Sequence, residues 1–262
     1  MYRIPSVLSL ALLVLLAGCR KETAQPLPDR DHTAASDNFR AEWYFADVLK
    51  QADAAQKNGA SGCIQTVDID LQAMPHTMLV DFGESNCVGM DGIARRGKLL
   101  VTFTGAYGDA GTVITITPQG FYVNDHLIQG VKTVTNAGPN DQGQTYFTVS
   151  VNGTVTAPDG SWTSTHNYQR VRTWIQGEET PTIFDDVYLI TGGGSGVNRN
   201  GTPFVVAITT ALRVEVGCPW VVSGVQEVIP AGLPARVVNF GNGACDSAVS
   251  ITVNGFTINI GG

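Results

Sequence analysis

From Cys63 onward, apolar and polar residues alternate with a period of two. Residues 98–104 put Leu99, Val101 and Phe103 on one face, and 146–151 put Phe147, Val149 and Val151 on one face; 112–117 alternate in the same way. Period two is the spacing of a strand with one buried side. Further strands are predicted near 64–70, 77–82, 120–135, 161–175, 187–192, 203–215, 220–229, 236–240 and 248–260. Asn152-Gly153, Pro158-Asp159-Gly160, Asn200-Gly201 and Asn254-Gly255 read as turns between them. Before Cys63 the period changes. Phe39, Trp43, Ala46, Leu49 and Ala52 follow helical spacing, which predicts a helix over 37–57, capped by Ser36 or Asp37 and stopped by Asn58-Gly59. Its single apolar stripe needs a sheet to cover. Consecutive strands with short connections predict an all-β fold: an antiparallel meander or sandwich, or an elongated β-roll, with one short N-terminal helix.

Residues 161–175 break the alternation. One face carries Trp162, Ser164, His166, Tyr168, Arg170, Arg172 and Trp174, and the other is Thr, Asn, Gln and one Val. A long strand polar on both sides predicts a sheet edge, or a part of the sheet that projects as a single layer.

Composition agrees with the pattern. The 262 residues include 29 Val, 26 Thr and 30 Gly. β-branched residues favour strands and Gly favours turns. Only 15% of the chain is charged and the net charge is −7, so the basic surface that nucleic acid requires is absent.

The first residues give an address. Arg3 precedes a ten-residue run, Val7–Leu16, that is apolar except for Ser9. It is too short to cross a hydrocarbon core of ~30 Å. Leu16-Ala17-Gly18-Cys19 resembles the lipobox of bacterial lipoproteins. The resemblance implies a signal peptide over 1–18 and acyl chains, palmitate among them, on Cys19. Residues 19–36 then read as a disordered tether and 37–262 as the body. Several acyl chains on one residue supply the multiple-chain attachment that stable membrane residence needs. Arg20 in place of Asp favours the outer membrane by analogy. Lys21-Glu22 matches two residues of a three-residue surface-export signal, which leaves surface and periplasmic orientation open.

Four cysteines remain: Cys63, Cys87, Cys218 and Cys245. Val80-Asp81-Phe82-Gly83-Glu84-Ser85-Asn86-Cys87 aligns without gaps to Val238-Asn239-Phe240-Gly241-Asn242-Gly243-Ala244-Cys245. A cysteine precedes each second cysteine by 24 and 27 residues, so the chain holds an internal repeat with copies starting near 63 and 218. Equivalent cysteines should have equivalent partners, which predicts Cys63–Cys87 and Cys218–Cys245 disulfides in an oxidising compartment. No closely spaced pair suggests structural zinc. The repeat, together with Asp91-Gly92, Gly97-Lys98, Asp185-Asp186-Val187-Tyr188 and Gly217-Cys218-Pro219-Trp220, resembles a family of Bacteroidetes-type envelope lipoproteins. That resemblance supports the envelope address and the all-β fold; it brings no activity, cofactor or catalytic residue.

Candidate chemistry is sparse. Gly192–Gly196 lacks the last glycine of a nucleophile elbow and reads as a Gly-rich turn. The doublets Glu178-Glu179 and Asp185-Asp186 cannot each flank one bond, because strand neighbours point to opposite faces; Asp68 and Asp70 share a face. Asp185 and Asp186 could also hold calcium, without EF-hand spacing. Trp43 and Trp220 read as core, whereas Trp162 and Trp174 are the pair to examine for stacking on a sugar. Asp246-Ser247-Ala248 resembles a short O-glycosylation acceptor, with Ser247 as the acceptor. The expectation is a non-catalytic envelope protein, membrane-bound through Cys19, with a structural or a glycan- or protein-binding role and no cofactor. The alternative is a lipid-anchored hydrolase acting on polysaccharide, which would need two carboxylates, or a Ser with His126 or His166, to converge in a cleft.

Overall fold

The computed structural model describes residues 28–180, 182 and 184–260. One helix, α1 (Thr33–Asn58), precedes fourteen strands: β1 (Thr66–Asp70), β2 (His76–Asp81), β3 (Cys87–Val88), β4 (Ala94–Phe103), β5 (Val113–Val123), β6 (His126–Pro139), β7 (Thr145–Thr156), β8 (Thr163–Gln176), β9 (Val187–Val197), β10 (Pro203–Glu215), β11 (Val221–Pro230), β12 (Arg236–Asn242), β13 (Val249–Val253) and β14 (Phe256–Ile260). They form one open antiparallel sheet in chain order, with β3 pairing β4 off the main path. This is the predicted meander, built as a single layer.

The helix covers one face of that layer and touches strands from β4 to β11. Its last two-thirds, including Tyr44, Phe45, Val48 and Ala52, pack into a core with Val80, Phe82, Leu99, Ile116, Phe121, Ile128 and Phe147. Its first turn, Ala34 and Ala35, joins a second core with Phe204, Val206, Val228, Val238, Phe240 and Ile251. Among the described residues the outer face has no such cover. One register row runs across it from Thr77 through Thr102, Thr115, Thr133 and Ser150 to Gln169.

The helix begins four residues before the predicted start, and neither Ser36 nor Asp37 caps it. The N-cap is His32, without a side-chain cap bond, and Asp31 before it accepts from the Thr33 N–H at 2.9 Å and the Thr33 hydroxyl at 2.6 Å. The Asp37 carboxylate is fully buried and bonds the backbone and guanidinium of Arg199. Residues 28–36 are therefore not tether. Arg236, with no exposure, donates to Asp31 O at 2.8 Å and to the Asp29 carboxylate at 2.5 Å, and Asn254 donates to Asp29 O. Arg30 lies 3.5 Å over the Phe256 ring. The helix stops as predicted, at Gly59 with φ 62°.

Two turn readings and one strand reading change. Asn152-Gly153 lies inside β7, where the glycine makes room for the helix: a Cβ there would sit 2.3 Å from Phe45 Cζ. Residues 192–196 belong to β9 rather than to a turn. Cβ atoms on Gly194 and Gly196 would collide with the Tyr168 and Phe204 rings that lie across them. The strand predicted over 120–135 is two strands, β5 and β6. Asn124 and Asp125 have φ of 47° and 62°, the pair of positive values that a two-residue hairpin turn demands.

The strand polar on both faces, β8, is neither an edge nor a projection. It lies between β7 and β9 with Ser164, His166, Tyr168 and Arg170 buried under the helix. Burying such groups costs several kcal/mol unless they are paired. The helix supplies carboxylates and the sheet supplies cations: Asp37 to Arg199, Glu42 to Arg170, Asp47 to Arg95. Lys132 Nζ donates to Phe45 O at 2.9 Å, and burial pulls its pKa down to about 7.

Candidate functional site

The outer face is indented where β4 and β5 meet. Gly97 and Gly120 face each other there with φ of 93° and 53°. A Cβ on Gly97 would come within 2.0 Å of Gly120 O, so only glycine permits the approach. The register slips at this point between Arg96 and Lys98. One residue of β4 there opposes two of β5, a bulge that bends the β5 strand. The inner side of the crease is filled by Phe82 and Phe121, whose ring centroids are 5.3 Å apart. The outer side becomes a groove of about 440 Å³ lined by Gln65, Asp81, Glu84, Arg96, Lys98, Gln119 and Tyr122, with Gly83, Gly97 and Gly120 as its floor.

The groove is held from several directions. The Cys63–Cys87 disulfide, with Cα atoms 5.5 Å apart, ties the segment leading to Gln65 to the one following Glu84. The Gln65 N–H donates to Asp81 O at 2.8 Å, and the Gln65 side chain lies over Gly83. Lys98 Nζ meets the Asp81 carboxylate at 2.9 Å. That bond, and the Gly83 N–H donating to Asp81 Oδ1, hold the Asp81 carboxyl below its ordinary pKa. Asp81 is thus an acceptor in the groove, not a proton donor. Arg96 bonds Asn86 and Asp125 and covers one face of the Tyr122 ring at 3.8 Å. The groove thus presents hydrogen-bond donors and acceptors of both charge signs, Arg96 and Lys98 beside Asp81 and Glu84.

Sequence reasoning marked Gly83 and Gly97-Lys98 through the repeat and the resemblance, but it missed the groove. The available signal was a glycine in each of two adjacent strand patterns, at 97 and 120, which marks a bulge.

The residues singled out from the sequence are dispersed. Cys19 lies outside the described residues. Both disulfides form as predicted, the second with a Cα separation of 5.8 Å. Trp162 and Trp174 stand at the two ends of β8, roughly 40 Å apart at the rise of a strand. Trp162 lies under Arg199 at 4.0 Å and beside His126, which bonds the Tyr44 hydroxyl at 2.9 Å. Trp174 packs on Tyr188. Trp220, read as core, is 36% exposed. Ser247 is half-buried in the β12–β13 loop, spanned by a bond from Ala248 N–H to Asp246 Oδ1 at 3.0 Å.

The acids do not converge. Glu178 accepts from Thr145, and Asp70 caps the β1–β2 turn. Asp185 accepts from the Thr180 hydroxyl, whereas Asp186 is buried near the Tyr188 hydroxyl, its pKa raised by burial and by Asp185. No cluster of three metal-binding side chains occurs among the described residues. Ser164 Oγ and His166 Nε2 do meet, at 2.9 Å, but both are sealed beneath the helix with exposures of 1% and 2%. Burial depresses the His166 pKa to about 4, and Tyr168 occupies its other ring nitrogen at 2.8 Å. This is a satisfied core network out of reach of a substrate.

Comparison with known proteins finds no matching family model, no matching curated protein and no matching solved structure.

Proposed function

We propose that the protein is a lipid-anchored component of a bacterial cell envelope that works by binding, not catalysis, and that its ligand is a glycan taken up on the outer face of the sheet. The anchor is Cys19, on the strength of the lipobox, and the two disulfides fit an oxidising compartment outside the cytoplasm. The observation that carries the binding role is the groove at the Gly97–Gly120 crease. Its Asp81 carboxylate and Lys98 pair at 2.9 Å beside the Gln65 and Gln119 amides, on a face that the helix leaves open. A neutral or mixed-charge saccharide presents the matching hydroxyls.

The test is calorimetric titration of the chain with envelope polysaccharides and their oligosaccharides, using the wild type and Gln65→Ala/Gln119→Ala. Saturable binding that the double variant weakens at least tenfold supports the reading. Turnover of any polysaccharide, or equal binding by the variant, removes it. The anchor is tested separately by acyl-chain mass spectrometry of the mature amino terminus, where Cys19→Ser should give an unprocessed or unacylated chain.

A further inference from the structure

An open sheet has two edges, and in this protein they differ in chemistry. β1 reads Thr-Val-Asp-Ile-Asp and β14 reads Phe-Thr-Ile-Asn-Ile. Each edge presents a row of backbone N–H and C=O groups with no strand beside it among the described residues, which is a template for another strand. Asp68 and Asp70 guard β1. Antiparallel pairing of β1 with its own copy about Asp68 would set carboxylate against carboxylate. β14 has no charged side chain and no proline.

The sequence of β14 is also self-complementary. In the β13–β14 hairpin, Phe256, Ile258 and Ile260 lie opposite Val253, Ile251 and Val249, all three of them buried. Phe256, Ile258 and Ile260 therefore share the inner face, and Thr257 and Asn259 the outer. The two-residue turn makes Val253 and Phe256 a hydrogen-bonded pair. Bonded and non-bonded pairs alternate, so Thr257 and Asn259 turn their backbone groups to the free side. An antiparallel copy of β14 centred on Ile258 would pair all five residues. Phe256 would face Ile260, Ile258 would face itself, and Thr257 would face Asn259, apolar against apolar and polar against polar. Phe256 is 39% exposed, with Arg30 over its ring, beside a hollow of about 150 Å³ lined by Arg30, His32, Ile251, Val253, Thr257 and Ile258.

We infer that β14 is a homotypic docking edge, and that two copies of this chain join there into one continuous antiparallel sheet about a two-fold axis. Such an interface is isologous and closes on itself, because the same strand is used by both copies.

The test uses the full chain in the membrane. In the chosen register Ile258 lies on the axis as a non-bonded pair, the geometry that brings two strand positions closest. Ile258→Cys should give a covalent dimer on a non-reducing gel, and Val67→Cys on β1 should not. Adding Thr257→Lys, which sets two like charges diagonally across the axis, should reduce the dimer at least fivefold. Asn259→Pro, which removes a free-edge donor, should do the same. Mass measurement of the unmodified chain in detergent should give a dimer that Thr257→Lys converts to a monomer. A monomeric wild type with no Ile258→Cys crosslink would overturn the inference, as would equal crosslinking from β1. Thr257→Lys leaves the inner face untouched, so its behaviour does not depend on refolding the core.

Discussion

Asp81 and Asn239 hold matching places in the two repeat copies, and each accepts a hydrogen bond from the glycine two residues on, at 2.7 Å and 2.9 Å. The valine before and the phenylalanine after are buried in both, and both glycines have positive φ, 82° and 91°. The blocks are the same local structure, yet their support differs. The first lies on the aromatic two-thirds of the helix, against Phe45 and Val48. The second meets only Ala34, Ala35 and the partly buried Phe39. It is held by Arg236 and by a disulfide joining the β10–β11 and β12–β13 loops. A repeated sequence therefore dictates a repeated turn, whereas its stability is set by what the helix brings to each end.

The sharpest way to break this contrast is to remove its charged supports. Arg95→Met strands Asp47 at 5% side-chain exposure and should cost about 3–5 kcal/mol. Arg236→Met leaves an Asp29 that water reaches, at 23%, and should cost about 2 kcal/mol. Equal urea midpoints for the two variants would mean that the ends are equally supported. The disulfides come next. Their sequence separations of 24 and 27 give nearly the same loop entropy, about 3.5 kcal/mol in the chain-entropy argument. Any difference between Cys63→Ser/Cys87→Ser and Cys218→Ser/Cys245→Ser therefore reports the local cores. We expect hydrogen exchange to show the second pair opening only β11–β14, and the first lowering protection across the sheet.

The seam between the ends is sensitive to acid. His166 bonds Tyr168 of the first core, and its ring lies 5.9 Å from Phe204 of the second. With the folded pKa near 4, depressed mainly by burial, the unfolded chain binds the extra proton first. Stability should fall as pH drops from about 6.5 to about 4, by about 3 kcal/mol from this group. His166→Asn should flatten that part of the wild-type urea-midpoint profile. The smallest effect belongs to the outer face: Thr115→Val should shift the midpoint by no more than about 0.5 kcal/mol.

Most of the fold was legible because strand alternation, turn dipeptides and a repeated cysteine block are local signals. Asn200-Gly201 and Asn254-Gly255 turn where they were expected to. What could not be read depends on distant partners. Arg170 is out of place on a core face until Glu42, 128 residues earlier, arrives from the helix. Gly153 imitates a turn because its partner, Phe45, belongs to another element. The groove was hidden for the same reason: its two glycines, 97 and 120, matter only as a facing pair.

The seat of residues 28–32 gives the molecule a mechanical polarity. A pull on the chain ahead of Pro28 enters the body at Asp29 and Asp31, passes through Arg236 into β12, and reaches the first turn of the helix. Tension is therefore taken up by the second core, the thinner of the two. The first core, with the groove beyond it, is joined to this seat through the helix.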